Sequence, residues 1–253
     1  MALPHPWIIA HRGASGALPE NTRISFDEAW RQHADGIEGD FQLTADGEIV
    51  CVHDADMCRV AGSPLVVKEA TLEQLRALEI GSWKCSEGVG QRILTLAEVL
   101  ALVPRSKRVF LEIKSGPEIL PRFSEVLAAS SVPPECITII SFDEQVIAGF
   151  KERYPAISAS WLTELHFVEG RLIPDPGQIL ATLKGCGADA VGAAAHGALS
   201  REFVSRVTHA GYAFDVWTVN EPEWACKLRA MGVRAITTDY PTRVRNALQH
   251  CSL

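Results

Sequence analysis

The sequence predicts an α/β fold, a TIM-type (β/α)8 barrel with a small insertion after the hairpin that extends its second strand. Eight short apolar runs alternate with amphipathic stretches of helical period, the pattern of a parallel sheet covered by helices. Eight such units in 253 residues match the usual size of a barrel. No Gly-x-Gly-x-x-Gly loop follows the first run, which disfavours an open dinucleotide-binding sheet.

The apolar runs predict the eight barrel strands in order. They cover residues 7–10, 36–40, 109–113, 137–140, 157–161, 188–192, 214–218 and 235–237. The intervening patterns predict helices over residues 24–34, 94–103, 119–129, 144–153, 178–184, 201–210 and 222–231, with a last helix at 241–248.

One segment departs from the alternation of strand and helix. Residues 42–54 read as a hairpin around Asp46-Gly47, and a two-residue turn there would place Asp40 opposite His53. Residues 55–92 follow as an insertion at the barrel mouth, with a helix at 72–78 capped by Thr71. The insertion is too small to fold alone, so residues 1–253 are expected to form a single domain.

The composition of the chain indicates which partners it does not bind and in which cellular compartment it is expected. The 24 Lys and Arg against 31 Asp and Glu give a net charge of -7, which disfavours nucleic-acid binding. No segment reaches the roughly 18 to 20 apolar residues of a membrane span, and no signal peptide is visible, so we expect a cytoplasmic protein without a membrane anchor. The seven cysteines lack Cys-x-x-Cys spacing, which predicts mostly buried thiols with no disulfide and no zinc site.

Ionisable residues collect at the carboxyl ends of the predicted strands, where barrels carry their catalytic groups. Glu38 and Asp40 are two residues apart and share one face of a strand, and so do Glu112 and Lys114. Three converging carboxylates would repel one another, so oxygen ligation of Mg²⁺ or Ca²⁺ is one interpretation. Ion pairs with Arg12 and Lys114, without a metal, are the other.

Two histidines lie at the same end of the barrel. His11 and His53 adjoin the carboxylates, which favours general acid and base roles. Arg12 and Lys114 offer positive charge to an anion such as phosphate, and with a metal they would stabilise phosphoryl transfer. The other six histidines are interpreted as structural.

Three further features are left as secondary. Residues 19–22 are interpreted as the cap of the first helix, with an acid near its dipole. Trp217 fits a core position and a pocket wall that packs on a substrate's carbon chain equally well. Asp239 is expected to orient the last strand or cap the last helix.

Read together, these motifs resemble the glycerophosphodiester phosphodiesterase family over about residues 8–241. The motifs that carry the resemblance occur in the family's order: Ala10-His11-Arg12-Gly13, Pro19-Glu20-Asn21-Thr22, Glu38-x-Asp40, Asp46-Gly47 with His53-Asp54, Leu111-Glu112-Ile113-Lys114, Val216-Trp217-Thr218-Val219-Asn220 and Thr238-Asp239-Tyr240-Pro241.

The resemblance implies a barrel with a metal-dependent phosphodiesterase activity on small glycerophosphodiesters. It implies that Glu38, Asp40 and Glu112 hold the metal and that His11 and His53 form the acid–base pair. It also implies that Arg12 contacts phosphate with Lys114 near it, and it matches residues 55–92 to the family's insertion. Gly39 departs from the family, which usually has a bulkier apolar residue there.

Two other functions remain as alternatives. A related phosphodiesterase would act on a lysophospholipid, a phosphoinositide or a sugar-containing diester, for which an exposed apolar patch or basic rim is expected. A catalytically silent barrel is the second alternative, which the complete set of acids, histidines and arginine disfavours.

Overall fold

The computed structural model describes residues 5–251 and confirms the predicted barrel. Eight strands follow one another around the sheet, and the first also pairs with the last, which closes the ring. Their order around the ring is Trp7–Ala10, Ala235–Thr238, Ala213–Trp217, Ala190–Ala194, Ser158–Thr163, Ile137–Ser141, Arg108–Ile113 and Gly36–Leu43. All pairings between neighbours in this ring are parallel. The eight barrel strands are the eight predicted apolar runs, with ends shifted by at most three residues.

Within the described residues, the strands are β1 (Trp7–Ala10), β2 (Gly36–Leu43), β3 (Ile49–Cys51), β4 (Arg108–Ile113), β5 (Ile137–Ser141), β6 (Ser158–Thr163), β7 (His166–Val168), β8 (Arg171–Ile173), β9 (Ala190–Ala194), β10 (Ala213–Trp217) and β11 (Ala235–Thr238). The α-helices are α1 (Arg23–Arg31), α2 (Cys58–Ala61), α3 (Leu72–Ala77), α4 (Leu96–Ala101), α5 (Leu120–Ala128), α6 (Glu144–Arg153), α7 (Pro176–Cys186), α8 (Arg201–His209), α9 (Pro222–Met231) and α10 (Pro241–His250).

The hairpin of β2 and β3 forms, but its predicted register was wrong by one residue. Phe41 pairs with Cys51, and Val52 donates its backbone N–H to the Asp40 carbonyl at 2.9 Å. The loop has three residues rather than two, because Thr44 pairs with Glu48 and Gly47 adopts a φ of +81°. This is the loop in which a turn is followed by a left-handed residue. Asp40 therefore lies opposite Val52 and not opposite His53.

The insertion carries its own small apolar cluster. Val50 and Val52 of the hairpin pack there with Met57, Val67 and Leu75, separately from the main core. The predicted helix is present as α3, and Thr71 caps it as expected. The cluster holds the insertion against the mouth of the barrel, so that side chains of α2 are placed next to the pocket.

The sequence analysis missed a second hairpin outside the barrel, which is formed by β7 and β8. It follows β6 at the same end of the barrel, and its turn residues Glu169 and Gly170 both have positive φ, +48° and +82°. Asn-Gly or Asp-Gly is the usual signal for such a turn, and Glu-Gly is a weak one.

Capping side chains explain where several barrel helices begin. Thr22, Thr95 and Asp175 each accept a hydrogen bond from a backbone N–H in the first turn of α1, α4 and α7. Gly187 ends α7 in a left-handed conformation with φ +71°, which glycine adopts without steric cost. These caps determine where the helices begin and end, and so where the chain turns between a helix and a strand.

The core lies in two layers. The larger cluster fills the space between the sheet and the helices and includes Phe26, Phe41, Phe123 and Phe150, each at most 1% exposed. Burial of each such side chain stabilises the fold by about 1.5–3 kcal/mol. A smaller cluster inside the barrel, which includes Ile9, Phe110 and Leu162, forms the floor below the mouth.

The cysteine prediction was wrong in two respects. Cys226 of α9 and Cys251 after α10 form a disulfide, with a Cα–Cα distance of 6.0 Å, because these two helices pack side by side. Of the five free cysteines only Cys51 and Cys186 are buried, and Cys58 is exposed. None of the helices within residues 5–251 has both the length and the apolar character needed to cross a bilayer.

Candidate active site

The predicted site residues meet at the carboxyl ends of the barrel strands. Seven of the eight line one pocket, namely His11, Arg12, Glu38, His53, Glu112, Lys114 and Trp217. The eighth, Asp40, lies in the pocket wall with 1% of its surface exposed. The structure therefore brings the whole predicted set together.

Strand register explains why the three carboxylates converge. Asp40 on β2 is the direct partner of Glu112 on β4, and Glu38 lies two residues earlier on the same face of β2. One oxygen atom from each of the three lies within 4.8 Å of the others. All three side chains are buried, and Glu38 Oε1 has no hydrogen-bond partner among the described residues.

The three carboxyl groups of the cluster differ in pKa because burial and neighbouring charges act on each to a different extent. Burial, reinforced by the charge of Asp40, raises the pKa of Glu38 to about 8. Burial and Asp40 also raise the pKa of Glu112 above its ordinary value. Burial acts on Asp40 in the same direction, but Arg12 and Lys114 outweigh it and hold the pKa of Asp40 below its usual range.

Two cations balance part of the negative charge. Lys114 Nζ lies 2.6 Å from Glu112 Oε1 and 3.3 Å from Asp40 Oδ1, and Arg12 Nε lies 3.2 Å from Asp40 Oδ2. The predicted ion pairs are thus present. Neither cation forms an ion pair with Glu38, which has no such partner within residues 5–251, and three carboxylates face two cations. An oxygen-only donor set with free buried lone pairs fits a hard divalent cation.

The loop after β1 is held in an uncommon backbone conformation beside the cluster. Arg12 and Asn21 both have positive φ, +54° and +56°, and the Asn21 N–H donates to the Arg12 carbonyl at 2.9 Å. The Asn21 side chain donates to Asp40 Oδ2 at 2.8 Å. Arg12 also donates its backbone N–H to Glu38 Oε2 at 2.9 Å. Strained backbone of this kind is concentrated at functional sites.

Each pocket histidine is paired with a carboxylate through Nδ1. His11 Nδ1 lies 2.7 Å from Asp239 Oδ1, and His53 Nδ1 lies 2.7 Å from Asp54 Oδ1. Such a partner at Nδ1 orients the ring and leaves Nε2 for proton transfer. Burial lowers the pKa of His11, but Asp239 and Glu38 outweigh it and the net pKa is raised.

His53 reaches the pocket although its predicted pairing with Asp40 was wrong. The chain turns after β3, and the Gln42 Nε2 amide group lies 2.9, 3.1 and 2.8 Å from the carbonyl oxygens of Val52, His53 and Asp54, which share its two N–H donors. These contacts fix the turn on which His53 sits. Gln42, on β2, therefore positions His53, which follows β3.

The opposite side of the pocket is apolar. Trp217 donates Nε1–H to the Gly192 carbonyl at 3.0 Å, and Phe142 meets it edge-to-face with ring centroids 5.6 Å apart. Phe110, Ile140 and Leu162 complete this side. Trp217 is therefore a pocket wall, the second of the two predicted interpretations.

Sequence reasoning undervalued two motifs. Asp239 does not cap α10: its carboxylate accepts from Asn220 at 2.6 Å and lies against His11. In residues 19–22, Thr22 does cap α1, but Glu20 accepts a hydrogen bond from Arg12 Nη1 at 2.8 Å and Asn21 contacts Asp40. The sequence did contain a sign of this role for residues 19–22, because a helix cap needs fewer polar residues than this segment has.

Comparisons with known proteins agree with this geometry. Residues 11–243 match the model of the glycerophosphoryl diester phosphodiesterase family. A Bacillus altitudinis protein named glycerophosphodiester phosphodiesterase is 31% identical over 93% of this chain and 95% of its own. The YhdW protein of Bacillus subtilis is 37% identical over 93% of this chain and 95% of its own.

A solved structure is similar over nearly the whole chain. A phosphodiesterase of Oleispira antarctica, determined in complex with the product sn-glycerol-3-phosphate, is 26% identical with a TM-score of 0.85, covering 98% of this chain and 97% of that one. The motifs, the barrel and the family match lead to one conclusion. The chain belongs to the glycerophosphoryl diester phosphodiesterase family.

Proposed function

We propose that this protein hydrolyses glycerophosphodiesters to sn-glycerol 3-phosphate and an alcohol such as choline or ethanolamine. The observation that carries the proposal is the convergence of three buried carboxylates and two carboxylate-paired histidines on one pocket. Family membership and the product complex of the Oleispira protein support the same substrate class.

Glu38, Asp40 and Glu112 are the residues that would hold a divalent cation, Mg²⁺ or Ca²⁺. The unpartnered Oε1 of Glu38 and the all-carboxylate donor set favour a hard ion. When bound, such an ion supplies charge neutralisation to the phosphate and to the oxygen that departs from it.

Arg12 and Lys114 would bind the phosphate anion. Both line the pocket beside the carboxylates. Burial lowers the pKa of each, but Asp40 and their other acidic neighbours outweigh it and keep each pKa above its ordinary value, so both are charged throughout the working pH range. The planar guanidinium of Arg12 suits two phosphate oxygens at once. Trp217 and Phe142 would pack against the carbon atoms of the substrate.

His11 and His53 would divide the proton transfers. His11 takes a proton at Nε2, either from a water or from the glycerol hydroxyl next to the phosphate, and Asp239 stabilises the imidazolium that forms. His53 gives a proton to the leaving alkoxide as the phosphorus–oxygen bond breaks. Because the two rings have equivalent carboxylate partners, they can exchange these roles.

Metal binding is expected to release protons near neutral pH. The raised pKa of Glu38, about 8, means that this carboxyl is mostly protonated at pH 7 in the metal-free protein, and it must ionise to become a ligand. Calorimetric titration with Mg²⁺ at about pH 7 in buffers of different ionisation enthalpy should show about one proton released. The release should nearly vanish at about pH 9.5, and heats at pH 7 that do not depend on the buffer would contradict the assignment.

One observation favours a second substrate class, a lysophospholipid with an apolar tail. Phe142, which lines the pocket, is 45% exposed, and Phe167 and Val168 on the β7–β8 hairpin are 56% and 49% exposed at the same end of the barrel. Exposed apolar side chains beside a pocket are typical of a surface that binds an acyl chain.

A coupled assay for glycerol 3-phosphate tests the proposal. Glycerophosphocholine, glycerophosphoethanolamine and lysophosphatidylcholine are compared with and without EDTA. Cleavage of lysophosphatidylcholine gives lysophosphatidate and choline and no glycerol 3-phosphate, so it is followed through the choline released. We expect EDTA-sensitive turnover of the water-soluble diesters. Preference for the lysophospholipid would establish the second candidate, and no turnover of any diester together with no binding of Mg²⁺ would indicate a silent barrel.

We propose a cytoplasmic location. Five free cysteines support a reducing compartment, whereas the Cys226–Cys251 disulfide is typical of an oxidising one. Thiol labelling of the protein in intact cells distinguishes a reducing from an oxidising compartment. In the cytoplasm Cys226 and Cys251 should be reduced and should react with the label.

A further inference from the structure

Arg59 of α2 connects the insertion to both sides of the pocket. Its Nε donates to Asp54 Oδ2 at 2.6 Å, while Nη1 and Nη2 donate to the two oxygens of Glu20, each at 2.8 Å. One guanidinium thus binds both the carboxylate that contacts His53 and the carboxylate that contacts Arg12.

Glu20 links Arg59 to the phosphate side. Its Oε1 accepts from Arg12 Nη1 and from Arg59 Nη2, both at 2.8 Å, and its side chain is only 13% exposed. Burial opposes the ionisation of Glu20, but Arg59 and Arg12 outweigh it and lower its pKa. Two arginines therefore share one nearly buried carboxylate, which limits where Arg12 can lie.

Asp54 depends on Arg59 for its position. Asp54 and His53 are adjacent in the chain and partly exposed, with 27% and 34% of their side chains accessible, so burial does not fix their contact. Oδ1 of Asp54 contacts His53 and Oδ2 contacts Arg59. With both oxygens engaged, the carboxylate cannot rotate away from the imidazole.

From these contacts we infer that Arg59 is a positioning residue for the reaction: its fork holds Asp54 against His53 and Glu20 against Arg12. The inference rests on the proposed function and deepens it, because it assigns the insertion a role in turnover. Arg59 is 40% exposed, so its ion pairs add little to the stability of the fold. Their contribution lies in geometry, since the planar fork fixes two carboxylates at once and a lysine ammonium cannot reproduce it.

Arg59→Lys is the test, with Arg76→Lys as the matched control. Arg76 lies in α3 of the same insertion, is 42% exposed and pairs with Glu98 at 2.6 Å, away from the pocket. Misplacement of catalytic groups by about an ångström can cost about 100-fold in rate. We expect Arg59→Lys to lower kcat on glycerophosphocholine about 10- to 100-fold, with Arg76→Lys unchanged and Mg²⁺ affinity unchanged in both.

A double-mutant cycle with His53→Ala separates positioning from a general loss of structure. If Arg59 acts through His53, Arg59→Lys should change kcat less than about twofold in the His53→Ala background. Additive losses, or an unchanged kcat in the single variant, would overturn the inference.

Product binding gives a readout that does not require turnover. Through Glu20 and Arg12, Arg59→Lys should weaken binding of sn-glycerol 3-phosphate to the Mg²⁺-loaded protein about 5- to 10-fold, and Arg76→Lys should not. Equal affinities in the two variants would overturn the inference. An inactive wild type that still shows this difference would count against the proposed function alone.

Discussion

Glu38→Gln is expected to abolish detectable Mg²⁺ binding and to lower kcat/KM by about 10³-fold or more, because it removes one of three converging ligands and the charge neutralisation that a bound cation supplies. Calorimetric titration and the glycerol 3-phosphate assay measure the two effects. Glu73→Gln, an exposed substitution on α3, is the control and should match the wild type. Full activity in Glu38→Gln would contradict the assignment of the cluster.

The same substitution should stabilise the metal-free protein at alkaline pH. Folding raises the pKa of Glu38 to about 8, so this carboxyl stabilises the fold below its ordinary pKa and loses that contribution as the pH rises through about 8. Thermal unfolding in EDTA should show the wild type losing stability between about pH 5 and pH 9 relative to Glu38→Gln. Parallel melting curves for the two proteins across this range would contradict the burial argument.

His11→Ala and His53→Ala should each lower kcat by about 10²- to 10⁴-fold while Mg²⁺ binding survives, since each removes a proton-transfer group and leaves the three carboxylates intact. His209→Ala on α8, an exposed histidine bonded to Ser205, is the control. Near-normal turnover in both pocket variants would refute the acid–base assignment.

Local patterns were sufficient to predict the fold and to predict that the candidate site residues lie at one end of the barrel. The barrel follows from eight continuous apolar runs alternating with helical stretches, because each pattern depends only on neighbouring residues. The carboxylate cluster follows from the spacing of Glu38 and Asp40 and from the rule that parallel strands end at one edge. The register of Asp40 with Glu112 confirms that reasoning.

The contacts that could not be predicted from the sequence join residues far apart in the chain, and the hairpin register depends on the length of one turn. His11 and Asp239 are 228 positions apart, and the pairing of Arg59 with Glu20 requires the insertion to fold back across the mouth. The hairpin register depended on whether Ala45 belongs to the loop, and a one-residue difference moved the partner of Asp40 from His53 to Val52. The disulfide required knowing that α9 packs on α10.

Phosphorus NMR of one reaction tests the central claim most directly. Metal-stripped protein is mixed with glycerophosphocholine in EDTA, and excess Mg²⁺ is then added. The account predicts no change in the diester signal before the addition, and afterwards its conversion to the signal of sn-glycerol 3-phosphate with release of choline. Turnover in EDTA, or phosphocholine as the phosphorus-containing product, would contradict it.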